Sequence, residues 1–201
     1  MLRAALQAGL LAAVAGIADA VGYLTMGHVF AANMTGNTVL AGIAAAQRDG
    51  MQAWHHLTPL LAFFAGAMLS RLLLRLTRSP KVPLVVEAIL LAGVGFLPIG
   101  PEAAVLIVAV AMGVQASAIT SFAGSAISTV VVTSTLARFA DAALDRLWSG
   151  GAWTPPAIVN RRLLILTWSA YLAGAIIGTI LVPAIPWPLL VPAGMLLLLL
   201  L

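Results

Sequence analysis

Asp19, Asn33, Thr35, Gly36, Asn37 and Thr38 place a carboxyl, two amides, two hydroxyls and a glycine backbone within a largely apolar stretch. Gln115, Thr133, Thr135 and Arg138 form a second such set about a hundred residues on. Side chains of these types hold small polar solutes by hydrogen bonds and charge, and they are the candidate binding residues. Short polar side chains in a row compete with the backbone for its hydrogen bonds, so Gly27 to Thr38 reads as a break between two helices. At membrane depth a break persists only where protein or a water-lined cavity satisfies the released backbone groups, as at the binding sites of secondary transporters. A helix starting near Thr35 and another near Thr133 would aim free amides and positive dipole ends at one central point, where an anion or small polar solute could sit.

Catalytic chemistry is absent. There is no cysteine, which removes thiol nucleophiles, thiolate metal sites and disulfides. His55 and His56 are adjacent, so on a helix they diverge; no metal-ligand spacing accompanies them, and they read as interfacial side chains. His28 reads as a hydrogen-bonded structural histidine. The expectation is a protein that is not an enzyme and uses no metal or cofactor.

The elements that must position these residues are transmembrane helices. Hydrophobic residues make up 62% of the 201 residues, charged residues only 8%, and mean hydropathy is +1.10. Soluble domains carry roughly 25% charged residues. The apolar runs suit helices that need about 20 residues to cross, and the short alternating segments of a barrel are missing. The ten basic residues sit at helix ends and mark topology; they do not form a nucleic-acid surface. The lipid bilayer is therefore the first partner, with a small-molecule solute the second.

In order, a first helix is predicted from about Ala4 to Met26. It is read as a retained helix, not as a cleaved signal. Its small residues Gly9, Ala12, Gly16 and Ala20 permit close packing, and Asp19 shares a face with Ala12, Gly16, Tyr23 and Met26. A carboxyl there costs about 2.5–3.5 kcal/mol on insertion scales and is a functional candidate by default. A helix of about 12 residues from Thr35, roughly 18 Å long, is too short to cross. Apolar segments follow at Leu57 to Leu76, Val82 to Ile99, Ala103 to Phe122, Arg161 to Val182 and Trp187 to Leu201. Glu87 is expected to snorkel to the interface. An amphipathic helix runs to Leu147, followed by a Gly- and Pro-rich loop from Trp148 to Asn160. Arg138 pairs with Asp141 on its own helix or, across the halves, with Asp19.

The halves repeat. Gly16 and Gly27 recur 97 residues on as Gly113 and Gly124, Thr35 recurs 98 on as Thr133, and Ala62 to Ser70 recurs 108 on as Ala170 to Gly178. The ten-residue step between 98 and 108 matches the Trp148 to Asn160 loop. Eight crossings would divide the basic residues six to four. Six crossings, with both polar breaks turning back, divide them nine to one with only Arg48 outside. The expected fold is thus an all-α integral membrane protein of about six transmembrane helices plus two re-entrant or broken helices. It forms two inverted repeats, residues 1–100 and 101–201, in one membrane domain.

Gly16-Ile17-Ala18-Asp19-Ala20, Gly27-His28-Val29-Phe30, Met34-Thr35-Gly36-Asn37-Thr38-Val39, Met112-Gly113-Val114-Gln115 and Val132-Thr133 resemble the YoaK-like family of bacterial inner-membrane proteins of unknown function. The resemblance covers nearly the whole chain, with departures at Ala116 and Ser134. It implies a bacterial inner (cytoplasmic) membrane and supplies no activity. The residues themselves predict a small transporter or channel for a polar or anionic solute, both termini cytoplasmic. The rival expectation is a non-transporting scaffold or partner-binding subunit, in which the small-residue faces pack a partner or a homo-oligomer.

Overall fold

A computed structural model describes residues 2–118 and 161–200. The described residues form seven helices and no strand: α1 (Leu2–Thr25), α2 (Met34–Ala46), α3 (Gly50–Thr77), α4 (Lys81–Phe96), α5 (Pro101–Ala118), α6 (Arg161–Ala184) and α7 (Leu190–Leu200). Four of them, α1, α3, α5 and α6, are long and apolar enough to cross a bilayer. The fold is that of an all-α membrane protein. The second polar break, Gly124 to Thr135, and the loop from Trp148 to Asn160 lie outside the described residues, as do Thr133, Thr135 and Arg138.

Two helix pairs set the bundle. On α1, a Cβ built on Gly16 would lie 2.1 Å from the Tyr171 carbonyl oxygen of α6, and one on Gly174 of α6 would lie 2.2 Å from that of Ala13. On α5, a Cβ on Gly113 would lie 2.0 Å from the Phe63 carbonyl of α3, and one on Gly66 of α3 would lie 2.1 Å from that of Val110. Backbones can come this close only where the side chain is a hydrogen atom. In lipid, where apolar side chains gain little by leaving the solvent, such close approach is what holds helices together. The outward faces of α3 and α6 carry Leu61, Phe64, Met68 and Leu72, and Ile165, Leu172, Ile176 and Ile180, all exposed, as suits a surface that meets acyl chains.

Contacts along the pairs fix the directions. Gly9 meets Leu166 and Gly178 meets Ile17, so α1 and α6 run parallel. Gln115 reaches Leu11, while Thr25, Met26, Pro101 and Ala104 meet at the other end, so α1 and α5 run antiparallel. His55 meets Gly27, which starts α3 at the end where α1 finishes. α4 and α7 lie side by side, with Leu190 against Gly95 and the Lys81 Nζ donating to the Leu200 carbonyl at 3.0 Å. The last segment, with a helix of 11 residues and about 16 Å, thus runs back along α4 to its first residue.

Two sequence expectations change. Helix α3 begins at Gly50, capped by Asp49, so both histidines lie on it; His56 is buried and only its neighbour His55 faces the loop. Glu87 does not snorkel: its side chain points along the face of α4 that carries Pro83, Leu84, Ala88 and Leu91 and is fully buried.

Replacing Gly16 or Gly113 with Leu is expected to destabilise the fold by more than the roughly 1–3 kcal/mol of ordinary overpacking, because the obstacle is backbone that cannot rotate away. Gly93→Ala, where a Cβ meets nothing within 4 Å, is expected to leave stability unchanged or slightly raised. Thermal unfolding in detergent, followed by helical circular dichroism, checks both.

Candidate functional site

Helix α1 ends at Thr25, and Gly27 and His28 both adopt left-handed backbone, with φ of 77° and 59°. Gly27 has a second constraint: a Cβ there would lie 2.6 Å from His55 Nε2, the atom that donates to the Gly27 carbonyl at 3.1 Å. The chain then folds back along α1. The Val29 carbonyl lies against Gly22, and the Ala32 and Asn33 amides reach Asp19, six residues or roughly 9 Å before the end of α1. Helix α2 starts there, at Met34. Since α3 returns past Gly27 only five residues after its start, α2 runs in the same direction as α1, and the 27–33 segment is a dip between them.

Asp19 is the hub of this dip. Its Oδ1 accepts from the Ala32 amide at 2.6 Å and the Asn33 amide at 3.2 Å, and its Oδ2 accepts from the Tyr171 hydroxyl of α6. With 3% of its surface exposed, the carboxyl is sealed from water. The geometry depends on Gly16: because that glycine lets Tyr171 backbone touch α1, the Tyr171 phenol reaches the carboxyl three residues further on. One carboxyl therefore ties the dip of the first half to a helix of the second.

The remaining backbone groups are satisfied by the asparagines. Asn37 Oδ1 accepts from the Phe30 amide at 2.9 Å, and its Nδ2 donates to the Phe30 carbonyl at 2.7 Å, so a fully buried side chain stands in for a missing strand partner. Asn33 caps α2, its Oδ1 accepting from the Gly36 amide at 3.2 Å and the Thr35 hydroxyl at 2.7 Å. The Thr38 hydroxyl donates to the Met34 carbonyl at 2.9 Å. Tyr23 stacks on Phe30 and meets the His28 ring edge-on.

Of the sequence candidates, Asp19, Asn33, Gly36 and Asn37 thus meet at the dip, while Thr35 and Thr38 sit at its exposed rim. Gln115 does not join them. Its Nε2 donates to the Leu11 carbonyl at 3.1 Å, two turns from Asp19 along α1, and its Oε1 is buried with no hydrogen-bond partner among the described residues. Just before α2 the Ala32 and Asn33 amides are taken by the carboxyl of Asp19, and in its first turn the Gly36 amide is taken by the amide oxygen of Asn33.

Tyr171 is the residue that sequence reasoning missed. The signal was in the repeat. At the offsets of 97 and 108, Asp19 corresponds to Ala116 and Tyr171 to Phe63, so acid and phenol fall on the α1–α6 pair and both positions are apolar on the α5–α3 pair. A cavity of about 370 Å³ opens beyond the dip, at the end of the bundle where α1 finishes. It is walled by Thr25 and Met26, by Val94 and Ile99, and by Val182 and Trp187.

Asn37→Ala is expected to strand both polar groups of Phe30 in a buried site, at a cost of about 1–3 kcal/mol for each group left unsatisfied. Hydrogen exchange should show the Phe30 amide losing protection, while amides in the middle of α5 keep theirs.

The chain matches, over residues 7–201, a family described as a protein of unknown function, DUF1275. It is also 32% identical over 152 residues to a protein of Bacillus subtilis (strain 168) named UPF0700 transmembrane protein YoaK, covering 69% of this chain and 67% of that one. No solved structure matches.

Proposed function

The chain belongs to the DUF1275 family of multi-pass membrane proteins of unknown function, and from that premise we propose that it is a transporter for a small polar solute, gated at the Asp19 clamp. The observation that carries the reading is a sealed carboxyl that joins non-helical backbone of one half to Tyr171 of the other. Breaking the phenol bond releases the 27–33 segment to move along α1, between the cavity at one end of the bundle and the interior. Such a cavity lies within the size range of small-ligand sites. Because a carboxyl already takes the Ala32 and Asn33 amides that lead into α2, a neutral or cationic solute fits this end better than an anion, within the sequence expectation of a small polar solute.

Two inverted halves support this reading. The contacts of Gly16 and Gly174 on the α1–α6 pair are repeated by Gly113 and Gly66 on the α5–α3 pair, at the offsets that align the halves in sequence. The related helices α1 and α5 run in opposite directions, as inversion requires. In the cytoplasmic membrane of a bacterium the termini face inward. Arg3, Arg71, Arg75, Arg78, Lys81, Arg161 and Arg162 belong to one end of the helices and Arg48 to the other. The dry packing of the clamp also suits a non-transporting scaffold, and a transport assay separates the two.

Purified protein in vesicles, offered a panel of labelled sugars, amino acids, polyols and amines, is expected to accumulate a neutral or cationic solute. Asp19→Asn and Tyr171→Phe, which weaken the bond that holds the segment closed, should each raise the initial rate by about tenfold or more, the equivalent of one charge-assisted hydrogen bond. Met68→Leu, on the outward face of α3, should not. Absence of uptake across the panel would favour the scaffold. For topology, Cys introduced at Arg48 is expected to react with an impermeant maleimide in intact cells, and Cys at Arg78 only after permeabilisation; the reverse pattern rejects the inward termini.

A further inference from the structure

Glu87 is not used by the clamp, and its surroundings are unlike those of Asp19. It is 0% exposed, and among the described residues neither carboxyl oxygen has a hydrogen-bond partner. It lies six residues into α4, roughly 9 Å from the Lys81 end. On the face that α4 buries, its companions are Pro83, Leu84, Ala88 and Leu91, so Glu87 is the only oxygen-bearing side chain there.

The helices packed against α4 bring no counter-charge. Helix α7 contains no ionisable residue, and α5 contains only Glu102, exposed in its first turn at the opposite end. On α3, Arg71 and Arg75 are exposed, and Arg78 caps the helix from outside; His56 lies near the other end of that helix. Among the described residues, Glu87 is thus a membrane carboxyl without cation or donor. A buried carboxylate in that state is not sustainable, so the group is stable only with its proton on. A metal cation does not fit, because hard cations need several oxygen ligands and this face offers one side chain.

We propose that Glu87 is a proton-exchange site, which loads a proton from water at the Lys81 end of the bundle and buries it between α4, α5 and α7. The route is short. The Lys81 ammonium, donating to the Leu200 carbonyl, fastens the ends of α4 and α7 about one and a half turns beyond Glu87. Opening that fastening brings the carboxyl to water, where it exchanges, and closing it requires the proton to be bound. The assignment does not rest on the clamp or on which solute is carried.

Dicyclohexylcarbodiimide, which partitions into membranes, tests this on the full chain in phosphatidylethanolamine–phosphatidylglycerol vesicles. The acid O–H adds across one C=N bond of the reagent, the proton going to nitrogen and the carboxyl oxygen to carbon, so only the protonated acid reacts. Mass spectrometry of peptides should locate an adduct on Glu87 that forms several-fold more slowly at about pH 9 than at about pH 5, a window spanning ordinary carboxyl and histidine titration. Glu87→Asp should retain a pH-dependent adduct at position 87, and Glu87→Gln should abolish it while keeping the thermal unfolding of the parent. An adduct whose rate is flat with pH would mean a permanently neutral packing acid and would overturn the proposal. Absence of any adduct at Glu87 would overturn it too. Failure of solute uptake leaves this result untouched, so the two readings fail separately.

Discussion

Backbone hydrogen bonds have no water to fall back on inside a bilayer, and the dip from Gly27 to Asn33 has no helix to supply them. Everything around it answers that need. Asp19 accepts from two amides, Asn37 serves both polar groups of Phe30, and Asn33 closes the first turn of α2. These three side chains serve backbone groups of the dip that no helix satisfies.

The clamp depends in turn on how closely helices approach. Tyr171 reaches Asp19 only because Gly16 admits the backbone of α6, and Gly174 and Gly178 continue the contact along Ala13 and Ile17. The α3–α5 pair has the same glycine arrangement but Phe63 and Ala116 in place of phenol and acid. Close packing is thus common to both pairs, and polar chemistry has been placed on one.

The two membrane carboxyls solve the same electrostatic problem in different ways. Asp19 is surrounded by donors, accepting from two amides of the dip and from the Tyr171 hydroxyl. Among the described residues, Glu87 is surrounded by alkyl groups and has no hydrogen-bond partner. Burial is nearly equal for the two, so the presence or absence of donors separates a structural anchor from a group that must carry its own charge balance.

The sequence by itself determined the membrane class, the break at Gly27 to Thr38, the short helix after it and the glycine faces. Each follows from local composition: hydropathy fixes the solvent, short polar side chains stop a helix, and small residues at spacings of three and four make a packing stripe. It also marked Asp19, since a lone acid in an apolar helix stands out in one dimension. Only the tertiary structure decided what such groups meet. Gln115 and Asp19 both face the interior, yet Gln115 meets α1 at Leu11, two turns from Asp19; Tyr171 enters from 152 residues away; Glu87, which spacing from the helix end assigned to the interface, points inward. Those outcomes depend on the rotation and register of one helix against another, fixed by backbone contacts at Gly16, Gly66, Gly113 and Gly174, and no local pattern in a single chain records them.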